Sequence, residues 1–168
     1  MKINYILLLL ILLSILTSCS LNQLTNIDHL TTAAIIEYSV QNQGDIEVHF
    51  CPRDNCTKIF TEFLDSANNS INCALFEIRE ENIQKKLIKK SKNVEMKIIT
   101  DNLNLEDFNH SFVRIDRSGL MHNKFCIVDN QRILTGSMNP TNNGVHKNNN
   151  NLLIIESTIL ANNYETEF

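Results

Sequence analysis

The run FCIVDNQRILTG (125–136) sets two short apolar segments on either side of Asp129-Asn130-Gln131. Each segment has the length of a strand, and the three polar residues between them are turn formers. The pattern predicts an antiparallel hairpin built from residues 122–129 and 132–136. Strands this apolar belong in the middle of a sheet covered on both faces, so the rest of the chain must supply helices to cover them.

The flanking sequence supplies them. IEVHF (46–50) alternates like a strand, and Ile59, Phe60, Phe63, Leu64 and Ala67 then fall on one helical face. INCALFEI (71–78) is a strand-length apolar run, and EENIQKKLIKK (80–90) spaces Ile83 and Leu87 as an amphipathic helix does. VEMKIIT (94–100), FVRI (112–115) and NLLIIES (151–157) read as further strands, and Leu160, Tyr164 and Phe168 recur every fourth residue at the chain's end. The expected fold is α/β: a mixed sheet of six or seven strands flanked by helices. NNGVHKNNNN (142–151) reads as a polar surface loop with no metal or catalytic spacing.

The chain has 168 residues, room for one compact domain. Its first residues have the layout of an export signal: Lys2, an apolar run from Tyr5 to Leu16, then small polar residues before Cys19. The run is too short for the roughly 20 residues that span a bilayer. Leu16-Thr17-Ser18-Cys19 resembles a prokaryotic lipobox, which implies lipidation of Cys19 and an anchor on the extracytoplasmic face of the membrane. Plain secretion is the alternative. The expected organisation is a signal over 1–19, a tether over 20–44 with Leu24, Ile27, Leu30, Ile35 and Ile36 as its apolar residues, and a catalytic domain over 45–168.

Without residues 1–19 the chain has 14 Lys and Arg against 19 Asp and Glu, a net charge of −5. That balance argues mildly against a long nucleic-acid groove. The lysines of KKLIKKSK (85–92) read as a solvated helix face. Cys51 and Cys56, in CPRDNC, are close enough to bridge across a turn or to remain free thiols, and Cys73 and Cys126 read as core thiols.

Chemistry concentrates in the hairpin. His122 and Lys124 share one side of a strand at its exposed start. The ammonium neutralises phosphate oxygens, and the imidazole serves as nucleophile or proton donor. Ser137 and Asn139, with the same spacing, offer uncharged donors at the mouth of the next strand, and Gly136 lets backbone approach a ligand. The set is a phosphate clamp without the carboxylate pair that Mg²⁺ requires, so no metal and no cofactor is expected.

The whole string, HNKFCIVDNQRILTGSMN, resembles the signature of the phospholipase D superfamily, His-x-Lys-x4-Asp-x6-Gly-Ser followed by Asn, and carries every spacing of it. The likeness extends over residues 46–168. It implies a two-step phosphodiesterase reaction in which His122 bonds to phosphorus and a second histidine protonates the leaving alcohol, then activates water. Lys124, Ser137 and Asn139 hold the non-bridging oxygens, and Asp129 gives structural and electrostatic support. The family's chemistry uses two such motifs and this chain has one, so the resemblance implies a homodimer that brings two copies of His122 together. Where several members carry a glutamate supporting the nucleophile, this chain has Asn150. Nucleic acid and membrane phospholipid are both open as substrates, and a silent phosphate-binding module is a third reading.

Overall fold

The computed structural model describes residues 44–116 and 119–168. The signal, Cys19 and the tether before Gly44 lie outside the described residues.

Seven strands form one mixed sheet: β1 (Ile46–Cys51), β2 (Ser70–Leu75), β3 (Glu95–Asp101), β4 (Val113–Asp116), β5 (Lys124–Val128), β6 (Arg132–Gly136) and β7 (Asn150–Glu156). Their order across the sheet is β1-β7-β6-β5-β2-β3-β4. The β2-β3-β4 half is parallel, and β1, β7, β6, β5 and β2 pair antiparallel in turn. The expected hairpin is β5–β6. Asp129 and Asn130 take positive φ (53° and 52°), and the Gln131 amide donates to the Val128 carbonyl at 3.0 Å. Short polar side chains tolerate this left-handed turn, whose twist matches that of the strands it joins.

Strand alternation divides the core in two. Cys73, Cys126, Leu134 and Leu152 face α1 (Cys56–Asp65) and α2 (Glu81–Lys90), packing against Phe60, Phe63, Leu64, Ile83 and Leu87. Ala74, Phe125, Ile127 and Ile133 face the opposite way, against Ala161, Tyr164 and Phe168 of the C-terminal segment. The three longer helices start on side-chain caps. Asn55 accepts from the Lys58 amide, Glu80 from Ile83, and Ser157 from Leu160. The lysines of α2 are more engaged than a solvated face would be. Lys86 pairs with Asp65, and Lys90 Nζ donates to the carbonyls of Asp65, the last residue of α1, and of Ala67 just beyond it.

Two expectations are corrected. Residues 142–151 are not an irregular loop: Thr141 caps a one-turn helix, α3 (Asn142–His146), through the Gly144 amide, and β7 starts at Asn150. The asparagine-rich composition concealed the cap, because Asn reads as turn chemistry wherever it clusters. Cys73 and Cys126 are not free core thiols. They sit directly opposite each other on β2 and β5, 4.0 Å apart at Cα, and form a disulfide. Cys51 and Cys56 are also bridged, closing the loop between β1 and α1. The C-terminal helix, α4 (Thr158–Glu167), matches its expected periodicity.

Candidate active site

β5 and β6 end side by side, Phe125 opposite Thr135, so the residues before β5 and after β6 emerge at the same edge of the sheet. His122, Asn123, Lys124, Thr135, Gly136 and Ser137 there line one cavity of about 610 Å³, and Asn163, Tyr164 and Glu167 of α4 form its other wall. That wall is tied to the sheet by hydrogen bonds from Asn123 Nδ2 to Glu167 and from Asn72 Nδ2 to Glu165.

His122 is exposed and rests on Phe76, with ring centroids 4.9 Å apart. Lys124 Nζ lies 5.4 Å from the centroid of the same ring and donates to the His122 carbonyl at 2.7 Å. The aromatic ring is therefore a shared platform that sets imidazole and ammonium beside each other. Burial pulls the Lys124 ammonium below lysine's ordinary range, and the nearby Glu77 carboxylate opposes that shift in part. Among the described residues neither imidazole nitrogen has a hydrogen-bond partner.

Two supports escaped the sequence reading. Phe76 follows β2, and its amide donates to the Asn123 carbonyl at 3.0 Å, which fixes the ring under the site. Asp101, buried at the end of β3, accepts from the Met121 amide through Oδ2 at 3.2 Å and so holds the backbone just before His122. Sequence offers no signal for either, because both act through the register of strands distant in the chain.

Ser137 is held firmly. Its amide donates to Asn151 Oδ1 at 2.9 Å, its hydroxyl accepts from the Asn151 amide at 3.0 Å, and it lies 3.1 Å from Asn150 Oδ1. Asn150 spends its amide on Ser137 and the Gly144 carbonyl, not on His122. Asn150, expected at the place of an orienting glutamate, thus positions Ser137 in this chain. Gly136 also differs from expectation. Its φ is +146°, and a Cβ there would lie 2.3 Å from the Asn151 carbonyl oxygen, so the close approach it permits is to β7.

Two members of the expected site lie outside the cavity. Asn139 is not part of the lining, and its amide oxygen is buried without a partner among the described residues. Asp129 sits at the opposite end of β5 from His122, where its carboxylate accepts the amides of Asn68, Asn69 and Ser70, each at 2.8 Å. It does not reach the reacting group. Its role in this geometry is to clamp the start of β2 to the β5–β6 turn.

The family described as "Cardiolipin synthase, PLD-like domain" matches residues 60–168. A phospholipase D of Rickettsia bellii is 27% identical over 151 residues, covering 82% of this chain and 75% of its own. A mitochondrial cardiolipin hydrolase of Xenopus laevis is 30% identical over 132 residues, covering 70% of this chain and 63% of its own. Among solved structures, the phospholipase D family member Nuc of Salmonella typhimurium superposes with a TM-score of 0.66 at 24% identity, covering 74% of this chain and 91% of Nuc. NucT of Helicobacter pylori gives a TM-score of 0.64 at 17% identity, covering 74% of this chain and 93% of NucT. The signature residues, the sheet that carries them and these matches lead to one conclusion: the chain belongs to the phospholipase D superfamily.

Proposed function

We propose that this chain is a metal-independent phosphodiesterase that cleaves nucleic acid, DNA or RNA, through a phosphohistidine on His122. The observation that carries the reading is the placement of His122, Lys124 and Ser137 around one open cavity, with the imidazole nitrogens unengaged among the described residues. An imidazole nitrogen attacks phosphorus, the bond to the leaving oxygen breaks, and that oxygen takes a proton from a second imidazole. Water then attacks the phosphohistidine, giving its proton to the second imidazole and releasing the phosphate product. Lys124 and Ser137 stabilise the non-bridging oxygens as charge develops.

The second imidazole comes from His122 of another copy. Among the described residues His122 is the only histidine that lines this cavity, so in this reading they supply half of the acid–base pair. A homodimer with the two cavities facing across a two-fold axis completes it.

A second reading, phospholipid cleavage, is favoured by a specific feature. Ile46, Val48 and Phe50 are 61%, 52% and 49% exposed and form an apolar stripe along one face of edge strand β1. The deciding assay offers labelled single-stranded DNA, RNA and phosphatidyl lipid vesicles side by side, each in EDTA. Cleavage of the nucleic acids with no release from the lipid is the expected result. Activity of His122→Ala would contradict the nucleophile, and loss of wild-type activity in EDTA would contradict metal independence.

The enzyme acts outside the cytoplasm in this reading, anchored through lipidated Cys19. Two disulfides in so small a domain support an oxidising compartment. Incorporation of labelled fatty acid, abolished in Cys19→Ser, tests the anchor.

A further inference from the structure

Next to the catalytic cavity lies a second one, of about 460 Å³, and Ser137 lines both. Its other walls are Phe50, Cys51, Pro52 and Arg53 on one side and Asn149, Asn150 and Asn151 on the other. From these we infer a nucleotide subsite: the base stacks on Phe50, and the phosphate next to the scissile one is held by Arg53.

Three features argue for it. Phe50 is half exposed at the end of an edge strand, directly opposite Asn151, the residue that holds Ser137. An exposed aromatic ring paired with a cation is the arrangement with which proteins hold single-stranded nucleic acid. Arg53 is also positioned in advance. Its guanidinium lies 5.6 Å from the Phe50 ring centroid, in a loop closed by the Cys51–Cys56 disulfide. Asp54 steadies that loop through Oδ2, which accepts the Phe50 amide at 2.7 Å. Its Oδ1 lies 3.4 Å from Arg53 Nε, which leaves the two terminal guanidinium nitrogens for a phosphate.

The third feature is the state of the asparagines. Asn151 Oδ1 is committed to the Ser137 amide, which fixes the orientation of the side-chain amide. Its Nδ2 makes no hydrogen bond among the described residues and is free to donate to a base edge or a phosphate oxygen. A phospholipid with a single phosphodiester has nothing for Arg53 to hold beyond the phosphate at His122, and cardiolipin, which has two, offers no base to stack on Phe50. A nucleic-acid strand presents a phosphate and a base at every step.

The subsite rests on the nucleic-acid reading, and the experiment separates the two. Full-length enzyme is assayed on a single-stranded oligonucleotide and on bis(p-nitrophenyl) phosphate, which has one phosphodiester and no neighbouring phosphate. In Arg53→Ala the ratio of oligonucleotide kcat/KM to small-substrate kcat/KM should fall about tenfold, with the loss in KM, and the log–log salt dependence should flatten by about 0.7. Arg53→Lys should recover part of the ratio, and Phe50→Leu should lower it about fivefold, a stacking loss. An unchanged ratio in both Arg53→Ala and Phe50→Leu, with the oligonucleotide still cleaved, overturns the subsite alone. Cleavage of phosphatidyl vesicles with none of the oligonucleotide overturns the subsite together with the nucleic-acid reading.

Discussion

At the scale of single residues, the site turns on how one aromatic ring disposes two polar groups. Phe76 lies against both His122 and Lys124, and the ammonium spends one donor on the His122 carbonyl. Two more donors remain for phosphate oxygens. Burial depresses the Lys124 ammonium, and in the proposed reaction only the protonated form neutralises the developing charge, so activity should be lost as pH rises through that lowered value. A pH profile of kcat should show its alkaline limb below the ordinary lysine value of about 10.4. In Lys124→Arg the limb should move to higher pH, since guanidinium stays charged, although the rate falls because its geometry differs. An alkaline limb unmoved by Lys124→Arg would assign it to another group. His122→Ala should cost about a thousandfold or more in kcat, measured on bis(p-nitrophenyl) phosphate. His122 and Lys124 were legible in the sequence from their spacing within the signature string, although β5 begins only at Lys124 and His122 lies just before it. Phe76 and Asp101 were not, because their relation to the site exists only once β2 and β3 are registered against β5 and its approach.

Among the elements, the β5–β6 hairpin is held from outside as well as within. Burial pushes the Asp129 carboxyl up, but the amides of Asn68, Ser70 and Asn69, with the Lys90 charge, outweigh this and hold it below the usual range. A carboxyl with a depressed folded-state pKa stabilises the fold above its unfolded value, near 3.9, and that stability disappears as pH falls through the folded value. Asp129→Ala should lower unfolding free energy at neutral pH by about 1–3 kcal/mol, and the gap from wild type should close below about pH 4. Chemical denaturation at pH 7 and pH 3 measures both. A gap equally large at pH 3 would mean that packing, not the carboxylate, sets the loss. The Cys73–Cys126 bridge crosses the centre of the same sheet and closes a 53-residue separation, against 5 for Cys51–Cys56. In the chain-entropy account the long bridge is worth about 4 kcal/mol and the short one about 2. Unreduced protein unfolded in guanidinium should therefore show no reactive thiol from these four positions, and Cys73→Ala/Cys126→Ala should melt well below Cys51→Ala/Cys56→Ala. The sequence made the short bridge visible through proximity in CPRDNC. The long one was hidden, because a buried cysteine in an apolar strand looks the same free or bridged until its cross-strand neighbour is known.

For the whole molecule, the question is how one motif would perform the proposed reaction, which uses two imidazoles. His122 is exposed and its ring nitrogens are unengaged among the described residues, while the backbone on either side of it is fixed by Phe76 and Asp101. Such a group is poised to be completed from outside the chain. If two copies supply one His122 each, every active unit requires two intact subunits. Wild-type enzyme mixed with equal His122→Ala protein, dissociated and reassembled, then yields about a quarter of its assemblies with both histidines. Activity per wild-type chain should fall to about half that of the unmixed enzyme, since half of those chains are trapped with inactive partners. If each chain acted alone, activity per wild-type chain would not change on mixing. The acid–base reading sharpens the test further. An assembly with one His122 can still be phosphorylated but lacks the imidazole that activates water, so mixed assemblies given a substrate with a good leaving group should retain labelled phosphohistidine. Its absence from the mixture, alongside undiminished turnover, would show that one chain is sufficient and that the second proton donor lies within it.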